Sequence, residues 1–279
     1  MSVDRQKAAV EKFRAMHASG CFVLPNPWDT GSAIYLSHLG FEALATTSAG
    51  LAFRLGVEDA VWAVPLDKTL EHLREIVLAT DRPVAADFQS AFAHDPDGVA
   101  ANVTKCIATG VAGLSVEDAT GDDRKPLYDK STAVARIAAA RSAIDATGIP
   151  VVLTARCEAW LVGNKDPLAT AIDRLRAYAD AGADCLFAPG VRKPDEIAAI
   201  VQAVAPKPVN VLVKQPSPVL SVPKLAELGV RRVSVGSSLA RVAWGAFIEA
   251  AKSIRDTGAF DALGSAVPFA HLNEVFTKR

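Results

Sequence analysis

Eight short apolar runs recur along the chain, and each is entered through a glycine or a proline. The runs are CFVLP (21–25), EALATT (42–47), PVAADF (83–88), GLSVED (113–118), PVVLTAR (150–156), CLFAPG (185–190), VNVLVK (209–214) and RRVSVG (231–236). Gly20, Gly40, Gly110, Gly182 and Gly229 precede five of them, and Pro83, Pro150 and Pro208 open the other three. A glycine there can take the left-handed conformation that closes a preceding helix. A proline stops a helix and is tolerated at the first position of a strand. Most runs are continuous rather than alternating, as expected of parallel strands covered on both faces. Between them the period is helical: in TAIDRLRAYADAG, Ile172, Leu175 and Tyr178 fall on one stripe.

Eight strand-then-helix units without linkers predict an α/β fold, a (β/α)8 barrel of TIM type. A doubly wound open sheet would have fewer strands and a Gly-rich phosphate turn, and neither G-x-G-x-x-G nor a P-loop is present. After the eighth run, residues 237–258 read as a long helix, and the tail, with Phe260, Phe269 and Phe276, as a shorter one. Residues 1–279 are therefore expected to form a single domain, with 238–279 a C-terminal helical extension. The composition agrees: half of the residues are hydrophobic but only 6% are aromatic, which suits close helix-on-sheet packing.

A net charge of −1 and the lack of a basic block give no electrostatic reason to hold nucleic acid. No apolar stretch approaches the roughly 18 residues of a membrane span. The N-terminal segment has no secretory-type apolar core, and the four cysteines are scattered without a C-x-x-C pair. These features point to a cytoplasmic protein with neither membrane nor nucleic acid as partner.

Barrel enzymes build their sites at the carboxyl ends of the strands. There the chain places Asn26 and Asp29, Thr47 and Ser48, Asp87 and Gln89, Glu117 and Asp118, Arg156 and Glu158, Lys214 and Ser237. Asp87, Glu117 and Asp118 are hard oxygen ligands on neighbouring strands and suit Mg²⁺, which keeps several waters and takes few protein ligands. Helix capping is the alternative use of such acids. Arg156 directly follows VVLTA and would enter the mouth, where a guanidinium matches a carboxylate or phosphonate. Its alternative is a structural ion pair with Glu158 or Glu117. His94 is the histidine nearest to a strand end, and a surface position is the simpler reading of it.

The motifs LPNPWDTGSA, TTSAGLAFRLGVED, PVAADFQSAF, GLSVEDATGD, LTARCEA and RRVSVGSSLARVA, in this order, resemble the isocitrate lyase/phosphoenolpyruvate mutase (phosphonomutase) superfamily over residues 20 to 250. The resemblance implies a Mg²⁺-dependent (β/α)8 enzyme, Mn²⁺ being an acceptable substitute, working through an enolate. It implies Asp87 as the direct metal ligand and Glu117 as a second, usually through water. Asp59 would lie near metal and substrate. Arg156 would bind the substrate carboxylate or phosphonate, and Thr47, Ser48, Ala49 and Gly50 would hold oxyanion and carboxylate. Asp59, Arg156 and Ser48 are the candidate catalytic residues.

Two stretches depart from the family pattern. Gln89 stands where relatives often carry a second acid, so it is expected to reach the metal only through a bound water. The stretch ATGDDRKPLYDK has neither the Cys nor the His of the K-K-C-G-H loop of isocitrate and methylisocitrate lyases. Those two activities are not expected. Lys125 and Tyr128 are the loop's own acids, and residues 119–130 are expected to close as a lid.

The expected function is C–C cleavage or decarboxylation of a small 2-oxo or 2-hydroxy carboxylate. The alternatives are P–C chemistry, as a phosphonomutase or phosphonopyruvate hydrolase, and a catalytically weak paralogue that binds a metal–carboxylate ligand. The resemblance further implies a homo-oligomer, dimer or tetramer, whose C-terminal helix is exchanged between subunits.

Overall fold

The computed structural model describes residues 2–277. All eight runs form strands: β1 (Phe22–Leu24), β2 (Leu44–Ala45), β3 (Val84–Ala86), β4 (Gly113–Glu117), β5 (Val152–Arg156), β6 (Cys185–Phe187), β7 (Val209–Leu212) and β8 (Arg232–Ser234). The pairs are parallel, and the order is β1-β8-β7-β6-β5-β4-β3-β2. The two ends of that sheet meet where Ala45 N–H donates to Pro25 O at 3.0 Å. The result is a (β/α)8 TIM-type barrel. The five glycines that precede strands all have positive φ, from 72° at Gly20 to 101° at Gly182, so each closes a helix or turn as expected.

The helices wrap outside: α1 (Val3–Ala18), α2 (Thr30–His38), α3 (Ser48–Leu55), α4 (Leu66–Ala79), α5 (Pro96–Ile107), α6 (Lys130–Thr147), α7 (Pro167–Asp180), α8 (Pro194–Val204) and α9 (Val222–Glu227). Their apolar stripes, Ile76, Val103, Ile137, Leu175 and Ile200 among them, join the strands in one core. Leu175 and Tyr178 are buried as the α7 period predicts, with Ile172 packed at the edge.

The α1 helix lies across the amino-terminal end of the barrel. Its Phe13 is fully buried against Gly113, where an added Cβ would stand 2.8 Å from the ring. Gln6 ties the same helix down by donating to Ile107 O and Val111 O at 2.8 and 3.0 Å.

After β8 come α10 (Ser238–Thr257), a 3-10 turn (Asp261–Ser265) and α11 (Phe269–Thr277), as the tail predicted. In this chain α11 packs on its own α2, where Tyr35 Oη meets His271 Nε2 at 2.9 Å. The α10 helix keeps Val242 and Phe247 exposed, at 70% and 60%. Among the described residues no helix is long and apolar enough to cross a membrane.

Candidate active site

The carboxyl ends of the strands enclose a cavity of about 190 Å³. Of the residues expected at the site, Thr47, Ser48, Ala49, Asp59, Asp87 and Arg156 line it. Gly50 stands behind it: an added Cβ there would lie 2.5 Å from Thr47 Cγ2 and 2.9 Å from Trp28 Cβ, so close packing requires the glycine.

Asp87 follows β3 and is built in by its neighbours. Its N–H donates to Thr46 Oγ1 at 3.0 Å, while its Oδ2 accepts from both Ser48 N and Ser48 Oγ at 2.9 Å. The carboxylate thus meets the first turn of α3, where backbone N–H groups lack helical acceptors and the dipole favours negative charge. Thr47 caps the same helix by accepting from Gly50 N at 3.3 Å. The first-turn N–H of Ala49 has no acceptor within the helix and belongs to the cavity wall.

Arg156, the last residue of β5, reaches three carboxylates at once. Its Nη1 lies 2.8 Å from Asp87 Oδ1, its Nη2 3.1 Å from Glu117 Oε2, and its Nε 2.9 Å from Glu158 Oε1. The guanidinium also lies over the Phe187 ring at 5.1 Å. Burial alone would lower its pKa, but Glu117, Glu158 and Asp87 together raise it. Glu117 is pushed up to about 8 by burial, against the pull of Arg156. Burial likewise raises Glu158. Asp59, at the open rim, is raised by desolvation and then by the charge of Asp87. Three carboxylates therefore share one guanidinium, and Asp59 feels its charge from the rim.

Asp118 does not join them. Its side chain turns to α7, where Oδ2 accepts from Arg174 Nη1 at 3.0 Å and Tyr178 Oη at 2.6 Å. Its Oδ1 takes the backbone N–H of Glu158 at 2.8 Å, so Asp118 supports a residue that holds Arg156.

Gln89 has its Oε1 on the backbone N–H of Trp62 at 3.1 Å, and Trp62 Nε1 donates to Ser90 Oγ at 2.9 Å. The oxygen expected to hold a metal-bound water is thus engaged by a neighbouring loop. His94 is exposed, as the surface reading has it, and joins Tyr128 Oη at 2.7 Å beside the Trp62 ring. Tyr128 is nearly buried, whereas Lys125 is exposed and pairs with Asp129 at 2.7 Å. Between them the 119–130 loop is a narrow turn, with Thr120 N–H on Pro126 O at 3.0 Å and an antiparallel bridge from Ala119 to Leu127. Cys157 is fully buried and burial raises its thiol pKa, which makes it packing.

The inner wall of the cavity also carries Ser115, Thr154, Asn210 and Arg232, which the reading of strand ends passed over. Each interrupts an otherwise apolar run, and Ser115 and Thr154 stand two positions before Glu117 and Arg156. That two-residue period marks the barrel-facing side of a strand. Arg232 donates to Asn210 Oδ1 and Thr154 Oγ1, both at 3.0 Å, and lies 3.3 Å from His17 Nε2.

A parallel barrel whose mouth combines hard carboxylate oxygens, a part-buried arginine and the first-turn N–H of Ala49 has the layout of a barrel enzyme's site. The chain belongs to the phosphoenolpyruvate phosphomutase family, which it matches over residues 13–255. It is similar to a candidate lyase/mutase from Burkholderia cenocepacia J2315, with 47% identity, a TM-score of 0.93 and coverage of 98% of this chain and 97% of that one. Oxaloacetate acetylhydrolase in complex with its product oxalate shares 28% identity at a TM-score of 0.85, covering 96% and 94% of the two chains. A probable 2-methylisocitrate lyase of Corynebacterium glutamicum is 29% identical over 242 residues, which span 84% of this chain and 76% of the relative. The protein is an enzyme of the isocitrate lyase/PEP mutase type, a carbon–carbon lyase.

Proposed function

We propose that the protein cleaves a C–C bond, or decarboxylates, a small 2-oxo or 2-hydroxy carboxylate with the help of Mg²⁺. The observation that carries this reading is Arg156 held at the cavity wall by Asp87, Glu117 and Glu158. An arginine already oriented by buried acids presents its guanidinium to a substrate carboxylate at little further ordering cost.

The donor set fits a divalent cation. Three carboxylates contact Arg156 and Asp59 stands nearby; burial first, and neighbouring acids after it, raise Glu117 and Asp59. Among the described residues no trio of His, Cys, Asp or Glu converges as a closed cage. Asp87 and Glu117 would hold the cation, Glu117 through water. When bound, the cation supplies charge stabilisation to an enolate.

The chain's own groups do the rest. Arg156 anchors a carboxylate, the Ala49 N–H at the cavity wall faces an oxygen on which charge develops, and Ser48 Oγ holds Asp87 in place beside them. Asp59, with its pKa raised, holds a proton at its carboxyl more readily than an ordinary aspartate and orients the substrate at the rim. The similarity to oxaloacetate acetylhydrolase supports the C–C reading over P–C chemistry.

Pure protein with Mg²⁺ should be screened against oxaloacetate, alkylmalates and phosphonopyruvate. Turnover of one of the first two, abolished in Asp87→Ala, is the expected result. Turnover of phosphonopyruvate alone would give the P–C reading, and tight Mg²⁺–oxalate binding without any turnover would give the binding paralogue.

A further inference from the structure

The segment between α3 and α4 carries Asp59 to the cavity, and its hydrogen bonds to the barrel converge on one residue. Residues 57–61 are exposed and form neither helix nor strand. Among the described residues, both hydrogen bonds from residues 58–63 to the rest of the barrel are made by Trp62: its N–H to Gln89 Oε1 and its indole N–H to Ser90 Oγ. The Trp62 ring adds stacking on Phe92, at 6.4 Å, and on His94, at 4.7 Å.

The surface that receives Trp62 is rigid. Gln89, Ala91 and Phe92 all have positive φ, as does Trp62 itself at 58°. Non-glycine residues keep such conformations only where their surroundings enforce them. Here the enforcement is Arg136, buried at 1% exposure, whose guanidinium donates to the carbonyls of Ser90, Ala93 and His94. The Gln89 carbonyl in turn accepts from Glu117 N at 3.0 Å, which fixes Gln89 to the end of β4.

We propose that Gln89 and Trp62 form a clasp that positions Asp59, and that Gln89 is a positioning residue rather than a metal-side group. It accepts the Trp62 amide with an uncharged oxygen, so the clasp adds no further carboxylate to a pocket already rich in them. Releasing the amide removes one of the two hydrogen bonds from the strap to the barrel, and Asp59, three residues earlier, shifts from its place near Asp87. This inference rests on the reading that Asp59 acts at the barrel mouth.

The test uses the full chain and two independent readouts. Hydrogen exchange at the Trp62 and Ala63 amides should rise about tenfold in Gln89→Met, which lacks the acceptor, and stay within about twofold of wild type in Gln89→Glu, which keeps it. The amides of β3 should not change in either. With the substrate that the screen yields, Gln89→Met should lower kcat about tenfold with a smaller change in KM, and should add nothing in an Asp59→Asn background. Trp62→Phe, which keeps the ring but loses the indole N–H, gives a second and milder release if Gln89→Met folds poorly.

Unchanged exchange in Gln89→Met would overturn the clasp. Full additivity with Asp59→Asn would overturn the action through Asp59. A wild type that turns over nothing would defeat the functional reading instead, while the exchange result still decides the clasp.

Discussion

Arg156 Nη1 lies 2.8 Å from Asp87 Oδ1 although the two stand 69 positions apart, at the ends of strands that are not neighbours. The strand between them, β4, contributes Glu117, which the same guanidinium meets at 3.1 Å. One side chain therefore staples three strand ends, and its removal strands three buried acids.

Arg156→Met should cost about 3–5 kcal/mol of stability at pH 8, the usual penalty for breaking a buried ion pair from one side. The loss should shrink towards pH 5, where the abandoned carboxyls take up protons. Urea unfolding at both pH values checks this, and equal losses would exclude an electrostatic cause. Arg156→Lys should recover part of the stability but little of the substrate affinity, because an ammonium cannot repeat the three-way fork.

The Asp118 support can be weakened in steps. Tyr178→Phe removes one of three donors to the carboxylate and should cost about 1–2 kcal/mol. Asp118→Ala leaves Arg174 and the Glu158 N–H without their acceptor and should cost several times more. A thermal denaturation series ranks the two, and a larger effect for Tyr178→Phe would contradict the assigned network.

Acid sensitivity should come from the opposite end of the barrel. His17 has its pKa lowered to about 3, first by burial and then by Arg232. The unfolded chain binds a proton there below about 6.5 while the folded one does not, so stability falls as pH drops from about 6.5 towards 3. The slope from this single group is about 1.4 kcal/mol per pH unit. Burial lowers His72 likewise, to about 4, with Arg54 adding to the effect. His17→Gln should flatten the acid limb of a stability–pH curve, and an unchanged slope would show that His17 is charged in the fold.

The exposed apolar residues of α10 give the oligomer expectation a handle. If Val242 and Phe247 meet a second copy of the chain, Phe247→Asp should lower the mass seen by light scattering while circular dichroism stays the same. An unchanged mass would move the interface elsewhere.

Much of this was legible before the structure. Gly and Pro punctuation located all eight strands, because helix termination is a local property. The strand-end rule brought Asp87, Arg156 and Ser48 to one cavity, with Glu117 held behind Arg156. It missed Asn210 and Arg232, which lie deeper, because it considers only the residues that end each run and not the inward face of the strand body. Asp118 was grouped with the metal acids because it follows Glu117 directly. The strand alternation sends it to the other side, towards Tyr178. Trp62 and Arg136 carried no signal at all: their roles depend on carbonyls and left-handed turns that only the folded chain brings together.

With Phe13 seated on Gly113 at the amino-terminal end, the cavity opens at the carboxyl ends of the strands. A reaction that splits one molecule into two must then send both fragments out by the way the parent came in. If the two fragments lie in line along this cavity, the one seated deeper, towards Asn210 and Arg232, leaves after the one nearer the rim. Departure is therefore queued by the architecture itself, and inhibition by the two products should differ in kind: the deeper fragment competes with fresh substrate, and the outer one traps the inner behind it.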